Sequence, residues 1–261
     1  MTSDDISKMK KLFIAAILAV SCFNAKAQAQ ENVGFTADRP GASTGPSVVG
    51  QGVIQLEQGI QYDGDGGAGT FTFSNTLLRY GLFHNMELRL GGDGFLYQED
   101  GANQGFKPAF SGLSVGTKIK CFEGQGTIPA ISVLADFAVP YTASKGFGTD
   151  HLAPSLYLLC ENPVNDWLSI GYNVGAEWDG SLPDATTFAA ICLGFTATET
   201  FGCFIESYNY FGALGNVYAM DFGFNWMVGK KVQLDLAANM DPMNPTQCWS
   251  ISCGVAWQIN K

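Results

Sequence analysis

Charged side chains recur on one parity of segments whose other parity is apolar, and these are the residues best placed to act on a solute. The positions are Glu57, Arg79, Glu87, Arg89, Lys118, Lys120, Asp136, Glu177, Glu206, Asp221 and Asp235. If they line a water-filled lumen, seven acids against four bases leave an excess of −3, which favours cations mildly. The alternative is that they pair across strands to fill and stiffen the interior. One pair can do both.

The histidines are too few and too poorly placed for a hydrolase. There are two, His84 and His151, and His84 falls in a predicted tight turn. His151 and Ser155 share one face of a predicted strand but lie about 13 Å apart by strand rise, beyond hydrogen-bond reach. The glycine-rich stretch Gly64–Gly69 lacks the Lys-Ser/Thr of a phosphate loop. We therefore predict no catalytic residues, no enzyme activity and no cofactor.

The cysteines give no metal site. Six of the seven follow the predicted leader: Cys121, Cys160, Cys192, Cys203, Cys248 and Cys253. They form no C-x-x-C pair, and no histidine lies at ligand spacing from them. Most sit in apolar strand-like runs, where a thiol packs as a small hydrophobic group. A disulfide stays open as an alternative.

The elements that hold the charged residues are long alternating segments. Residues 168–178 are the clearest case, with Leu168, Ile170 and Tyr172 on one parity and Ser169, Gly171 and Asn173 on the other. An outer-membrane strand needs about 9–11 residues, and we count about twelve such segments. An even number leaves no open edge in lipid and returns both ends to one side. The pattern predicts an all-β transmembrane antiparallel up-and-down barrel of about twelve strands over residues 50–261.

The predicted connections are alternately short and long. The longer ones are Asp63–Gly69, Gln98–Ser111, Pro140–His151, Asp179–Ala185, Gly212–Asn216 and Asp241–Thr246. A further turn is expected to begin at Asn162-Pro163, because proline provides a ready-made bend. Short periplasmic turns and longer extracellular loops are typical of outer-membrane barrels.

The first 49 residues lack this strand pattern. Lys10 and Lys11, the apolar run Leu12–Phe23 and the sequence Ala25-Lys26-Ala27 predict a signal peptide over residues 1–27, with residues 1–8 as an upstream extension. Cleavage after Ala29, or a lipoprotein signal acylated at Cys22, are the alternatives. Residues 28–49 are expected to form a periplasmic tail or to enter the lumen as a partial plug through Asp38 and Arg39.

The charge balance excludes one class of partner. The formal net charge is −10, and the predicted leader carries two acids and four bases, so the remaining chain carries −12. An acidic chain without a basic cluster argues against nucleic acid.

Several short motifs resemble a known family. They are Thr36-Ala37-Asp38-Arg39-Pro40-Gly41, Gln55-Leu56-Glu57, Leu78-Arg79-Tyr80-Gly81-Leu82, Glu87-Leu88-Arg89, Gly171-Tyr172-Asn173-Val174-Gly175 and Gln233-Leu234-Asp235-Leu236. Together they resemble a family of outer-membrane transporters labelled after the meta-cleavage pathway of phenol degradation. The resemblance covers nearly the whole mature chain. It implies an outer-membrane barrel with a transport role.

The function expected from these features is passive passage of small solutes through an outer-membrane barrel. The partners are then outer-membrane lipid and small solutes of unknown identity, and the sequence does not settle the oligomeric state. A closed barrel with a structural or surface-interaction role is the first alternative. A barrel lipid hydrolase is the weakest.

Overall fold

The computed structural model describes residues 34–65, 68–98, 105–181, 183–213 and 215–260. The predicted leader and its upstream extension lie outside the described residues. Among the residues that are described, no helix is long and apolar enough to cross a membrane. Within the described part of the chain, Cys121, Cys160, Cys192, Cys203 and Cys253 are free.

The described chain consists almost entirely of β-strands. They are β1 (Ile54–Asp65), β2 (Ala68–Phe83), β3 (Met86–Gln98), β4 (Phe106–Phe110), β5 (Ser114–Gln125), β6 (Ile128–Ala138), β7 (Ala153–Asn165), β8 (Leu168–Glu177), β9 (Thr186–Thr196), β10 (Phe201–Gly212), β11 (Gly215–Met227), β12 (Val232–Met240) and β13 (Cys248–Gln258).

The strands form one closed antiparallel wall. Apart from β4 and β5, which both pair with β3, consecutive strands pair with each other, and β1 also pairs with β13, which closes the barrel. The short strand β4 pairs with the C-terminal part of β3, and β5 pairs with the N-terminal part of β3. Between β4 and β5 the strand is interrupted at Gly112. Its φ of 95° lies in the left-handed region that favours glycine. Counted this way, β4 and β5 together fill one position, and the prediction of a twelve-strand barrel is confirmed.

Four expectations about the connections are wrong. The hairpins β1–β2 and β10–β11 continue to Asp65, Ala68, Gly212 and Gly215, so the loops predicted at 63–69 and 212–216 are much shorter. Within the loop predicted at 98–111, strand β4 pairs with β3. Pro163 does not begin a turn but lies in β7 opposite Ser169, next to a register irregularity, where the missing N–H is tolerated. Glycine and proline residues indicated turns near these places, but they do not determine the residue at which strand pairing ends.

The two ends of the barrel differ in their connections. At one end, the turns between strands span two to four residues, at 84–85, 126–127, 166–167, 197–200 and 228–231. At the other end, the connections between β6 and β7, between β8 and β9, and between β12 and β13 are longer; their described residues are 139–152, 178–181 with 183–185, and 241–247. By the usual pattern of these barrels the short-turn end is periplasmic and the long-loop end is extracellular. Both the start of β1 and the end of β13 lie at the periplasmic end.

The two faces of the wall are inverted relative to a water-soluble protein. Large apolar side chains lie exposed outside, among them Leu88, Leu158, Val174, Phe222, Phe224, Leu236 and Ile251. On the opposite parity Arg79, Glu87 and Lys118 have no exposed surface. A soluble barrel would expose the charges and bury the leucines. This arrangement is the one that a hydrocarbon environment favours.

Candidate functional site in the barrel interior

Residues 34–53, here called the inner segment, lie inside the barrel. Their side chains or backbone bond to residues of β1, β2, β3, β5, β6, β8, β10 and β12. Because these strands go round the wall, only a segment in the lumen can reach all of them. The segment then leads into β1 at the periplasmic end, where Gly81 has no side chain to block its path; a Cβ there would meet the Gly50 carbonyl at 2.0 Å.

An ion-pair cluster holds the first part of the inner segment. It comprises Asp38, Glu57, Glu87, Arg79, Arg89 and Lys118, three acids and three bases. Arg79 lies 2.8 Å from both Glu57 and Glu87 and 3.4 Å from Asp38. Lys118 Nζ donates to Asp38 at 2.7 Å. The cluster is therefore electrically neutral and depends on Asp38 for its third acid.

The charge of Asp38 fits this setting. Burial by itself raises the pKa of the Asp38 carboxyl, but Arg79, Lys118 and Arg89 hold that pKa well below its usual range. Asp38 is therefore ionised at neutral pH. Burying such a group without its three partners would be costly.

Arg39 is held on the other side of the lumen. Its guanidinium donates to Asp235 at 3.1 Å and to Asn75 at 2.8 Å. It lies in a notch formed by Gly59 of β1 and Gly254 of β13, which face each other across the strands. A Cβ on Gly59 would come within 2.2 Å of the guanidinium, and one on Gly254 within 2.5 Å. The two glycines therefore make room for this side chain.

The tip of the inner segment, Ala42–Thr44, is fixed mainly through its backbone. Glu206 accepts hydrogen bonds from the Ala42 and Ser43 N–H groups and from the Ser43 hydroxyl. Asn173 accepts from the Thr44 N–H at 2.7 Å and donates to the Thr44 carbonyl at 3.0 Å. One carboxylate and one amide thus satisfy the polar groups of a turn that has no strand partner.

The part of the inner segment that follows the tip is also held by hydrogen bonds to the wall. Lys118 Nζ donates to the Gly45 and Ser47 carbonyls, and Ser132 donates to the Pro46 carbonyl. The Val49 N–H donates to Glu87 at 2.8 Å. Every polar anchor of the segment is therefore a hydrogen bond or an ion pair that water could replace.

The eleven charged positions chosen from the sequence divide into two groups. Seven contact the inner segment: Glu57, Arg79, Glu87, Arg89, Lys118, Glu206 and Asp235. The other four do not. Asp136 lies 3.7 Å from Arg89, Glu177 accepts from the Tyr157 hydroxyl, Lys120 pairs with Glu123, and Asp221 faces Glu206 across β10 and β11.

Uncharged residues of the site were not selected from the sequence. Gln55, Asn75, Ser132, Asn173 and the glycine pair of the Arg39 notch share the inward parity of the charged residues. Parity alone could have marked them. What it could not show is which of them meet residues about 130 positions away in the chain, as Asn173 meets Thr44.

Two cavities lie on either side of the tip. The larger, about 490 Å³, is lined by residues 35–47 in part and by residues such as Ser169, Gly194, Gly202 and Asn225 near the periplasmic ends of their strands. The smaller, about 160 Å³, is called here the outer chamber. Its lining includes Asp136, Tyr157, Glu177, Phe188 and Tyr210, which lie close to the extracellular ends of their strands, together with Arg89 of β3 and with Ala42 and Thr44 of the tip. The tip therefore contributes to both cavities.

Aromatic rings cover one side of the outer chamber. Phe188 has ring-centroid distances of 5.7 Å to Tyr157, 5.1 Å to Tyr210 and 6.4 Å to Tyr208. Tyr157 donates its hydroxyl to Glu177 at 2.7 Å, and Tyr208 accepts from Asn239. The rings thus form a continuous surface over β7, β9 and β10 with a carboxylate beside it.

A closed antiparallel wall with apolar side chains outside and buried charges inside defines an outer-membrane β-barrel. The chain belongs to the family described as "Putative MetA-pathway of phenol degradation", which matches residues 37–242. The resemblance seen in the sequence is thereby confirmed. No curated protein matches the chain.

Similar solved structures support the same fold. An outer-membrane channel from Pseudomonas putida F1 has a TM-score of 0.62 and 12% identity over 84% of this chain and 98% of its own. The KdgM porin, solved in complex with disordered oligogalacturonate, has a TM-score of 0.54 and 10% identity over 79% of this chain and 99% of its own. The NanC porin has a TM-score of 0.54 and 7% identity over 78% of this chain and 100% of its own. These similar structures are channels and porins, and at such identities they establish the fold.

Proposed function

We propose that this protein is an outer-membrane channel for passive passage of small solutes, with the inner segment acting as a removable plug. The observation that carries the proposal is the pair of cavities that the tip separates along the lumen. Moving Ala42–Thr44 aside would join them. The channels and porins of similar fold add support, because they are barrels built to pass solutes.

The nature of the anchors supports a removable plug. The segment is fixed by ion pairs to Asp38 and Arg39 and by hydrogen bonds to its tip, with Pro46, Val48 and Val49 as its fully buried apolar residues. Polar contacts have a small net free energy because water replaces them when they break. A plug held in this way can leave the lumen without exposing a large apolar core.

The charged residues named from the sequence are proposed to line the path. Asp38 and Arg39 add one acid and one base, so the excess of acids over bases stays at −3. An open lumen of this composition should pass cations more readily than anions. We further propose that residues 1–27 form a cleaved signal peptide and that the exposed apolar side chains contact outer-membrane lipid.

The test is planar-bilayer conductance of the refolded chain from Gln28 to Lys261, with heat-shifted gel mobility to confirm folding. We expect rare openings from this chain. A variant that lacks residues 34–49 should give large, persistent, mildly cation-selective steps. A folded barrel that stays silent without these residues would contradict the channel and favour a closed surface barrel.

A milder variant guards against misfolding of the deletion. Gly41 faces Glu206, and a Cβ there would lie 2.9 Å from Glu206 Oε1, whereas a Cβ on Gly45 meets nothing within 4 Å. Gly41→Val should displace the tip and raise the open fraction. Gly45→Val is the matched control and should leave it unchanged.

A further inference from the structure

The outer chamber combines an aromatic surface with a carboxylate, Glu177, that lacks a cation. Glu177 lines the chamber, and the hydroxyl of Tyr157 fixes its position beside the rings. Among the ion pairs of the described residues, none involves Glu177 or Asp221. Such a surface attracts a positive charge both through the carboxylate and through the faces of the rings.

The positive charge that does line the chamber is already balanced. Arg89 contacts Asp38 and Glu87 within the neutral ion-pair cluster, and its Nε lies 3.7 Å from Asp136. The acids of the chamber, Asp136 and Glu177, are therefore in excess over the cations that face it.

A second carboxylate without a cation lies on the same side of the barrel, on β11, outside the lining of the chamber. Asp221 of β11 lies opposite Glu206 and is 6% exposed, and its Oδ1 has no hydrogen-bond partner within the described part of the chain. Glu206 is occupied by the tip and, as a carboxylate, offers no donor to Asp221 Oδ1. Two adjacent buried carboxylates, one of them incompletely bonded, are costly unless a proton or a cation joins them.

We propose that the surface formed by Tyr157, Glu177, Phe188 and Tyr210 in the outer chamber binds a small organic cation, a protonated amine with an apolar body. The ammonium group contacts Glu177, and the apolar body lies against Phe188 and Tyr210. The cavity of about 160 Å³ limits the occupant to about the size of one ring with a short side chain. The inference rests on the proposed channel function, since it names the class of solute that enters from outside.

The experiment compares three probes of one skeleton that differ in charge: 2-phenylethylammonium, 2-phenylethanol and phenylacetate. Binding to the refolded chain in detergent is followed by titration calorimetry. We expect the cation to bind at least about tenfold more tightly than the alcohol, the equivalent of one charged contact, and the anion to bind most weakly.

Variants locate the site. Glu177→Gln should abolish the preference for the cation over the alcohol. Phe188→Leu should weaken the binding of both the cation and the alcohol. Glu199→Gln removes the same charge from an exposed periplasmic turn and should change neither. Equal binding of the three probes, or a preference that survives Glu177→Gln, would overturn the inference.

The outcome is separable from that of the channel proposal because binding does not require conduction. A barrel that conducts without distinguishing the probes keeps the channel and loses the organic cation. A barrel that binds the cation but never conducts, even without residues 34–49, keeps the binding site and loses the channel.

Discussion

The two sides of the lumen are built on different principles. Strands β1 to β6 carry all of the cationic wall residues of the site, Arg79, Arg89, Lys118 and Lys120, and three of these are bound in the neutral cluster around Asp38. Strands β7 to β11 carry acids, aromatic rings and small residues, and the wall lining of the larger cavity comes from these strands alone. We call them the paired wall and the open wall. The paired wall holds Asp38 through ion pairs, and the open wall holds only the tip, through Glu206 and Asn173, and leaves space beside it.

Buried charges have different roles on the two walls. On the paired wall, Glu57 and Glu87 each lie 2.8 Å from Arg79, so these charges stabilise a structure. On the open wall, Glu177 and Asp221 have no such cation among the described residues. The net charge of −3 is therefore distributed unevenly over the lumen. The side of the paired wall is neutral, and the side of the open wall is acidic.

The largest effect should follow from breaking the paired wall. Arg79→Ala leaves Asp38, Glu57 and Glu87 without their shared partner, and an uncompensated buried charge costs about 3–5 kcal/mol. We expect a lower urea midpoint in the heat-shifted gel assay. Lys230→Ala, in an exposed turn, is the control. An unchanged midpoint for Arg79→Ala would mean that the cluster contributes no net stability.

The next largest effect concerns the Arg39 notch. Gly254→Ala places a Cβ about where the Arg39 guanidinium lies, at 2.5 Å, and should expel that side chain. Loss of a charged hydrogen bond of about 1.5–3 kcal/mol predicts a rise of at least about tenfold in the open-to-closed ratio in single-channel recordings.

The control for the notch is Gly171→Ala on the inner face of β8. Its Cβ would meet its nearest neighbour at an ordinary 3.7 Å. If both variants open the channel equally, the notch is not what holds the plug.

Ion selectivity sharpens the comparison further. In a barrel without residues 34–49, the double variant Glu177→Gln and Asp221→Asn should lower the cation preference, read as the reversal potential in a KCl gradient. Replacing Lys120 by Gln should shift the potential the opposite way. Equal potentials for the parent and the double variant would show that the open wall does not face the ion path.

The smallest effect is expected at Glu123. Its side chain is 78% exposed while it pairs with Lys120 at 2.7 Å. Exposed pairs contribute about 0–1 kcal/mol, so Glu123→Gln should leave the urea midpoint almost unchanged. A large loss would place Lys120 among the structural charges of the paired wall.

Much of the wall could be predicted because the alternation of each strand is a local property. Residues 168–178 and 232–240 give their inward and outward faces without knowledge of any partner. Strand β4 was missed because Phe106–Phe110 pairs only along the end of β3 and is interrupted at Gly112.

The interior could be predicted only in part. The inward parity found Glu57, Glu206 and Asp235, and the motif around Asp38-Arg39 drew attention to a plug. Which acid meets which base depends on contacts between residues up to 196 positions apart, as between Arg39 and Asp235. The aromatic surface around Phe188 escaped notice because aromatic residues are common on both faces of strands.

The position of Arg39 has a consequence for how the barrel forms. Gly59 and Gly254 belong to the first and last strands, whose residues Gln55 and Gln258 are 203 positions apart, so this is the pairing with the greatest loop-closure entropy. Arg39 bridges that seam by reaching Asn75 on one side and Asp235 on the other. If the barrel closed before the inner segment entered it, the Arg39 side chain would have to pass into a lumen that is already complete. Assembly in which the barrel closes around the inner segment avoids that step, and the arginine then helps to join the two ends of the sheet.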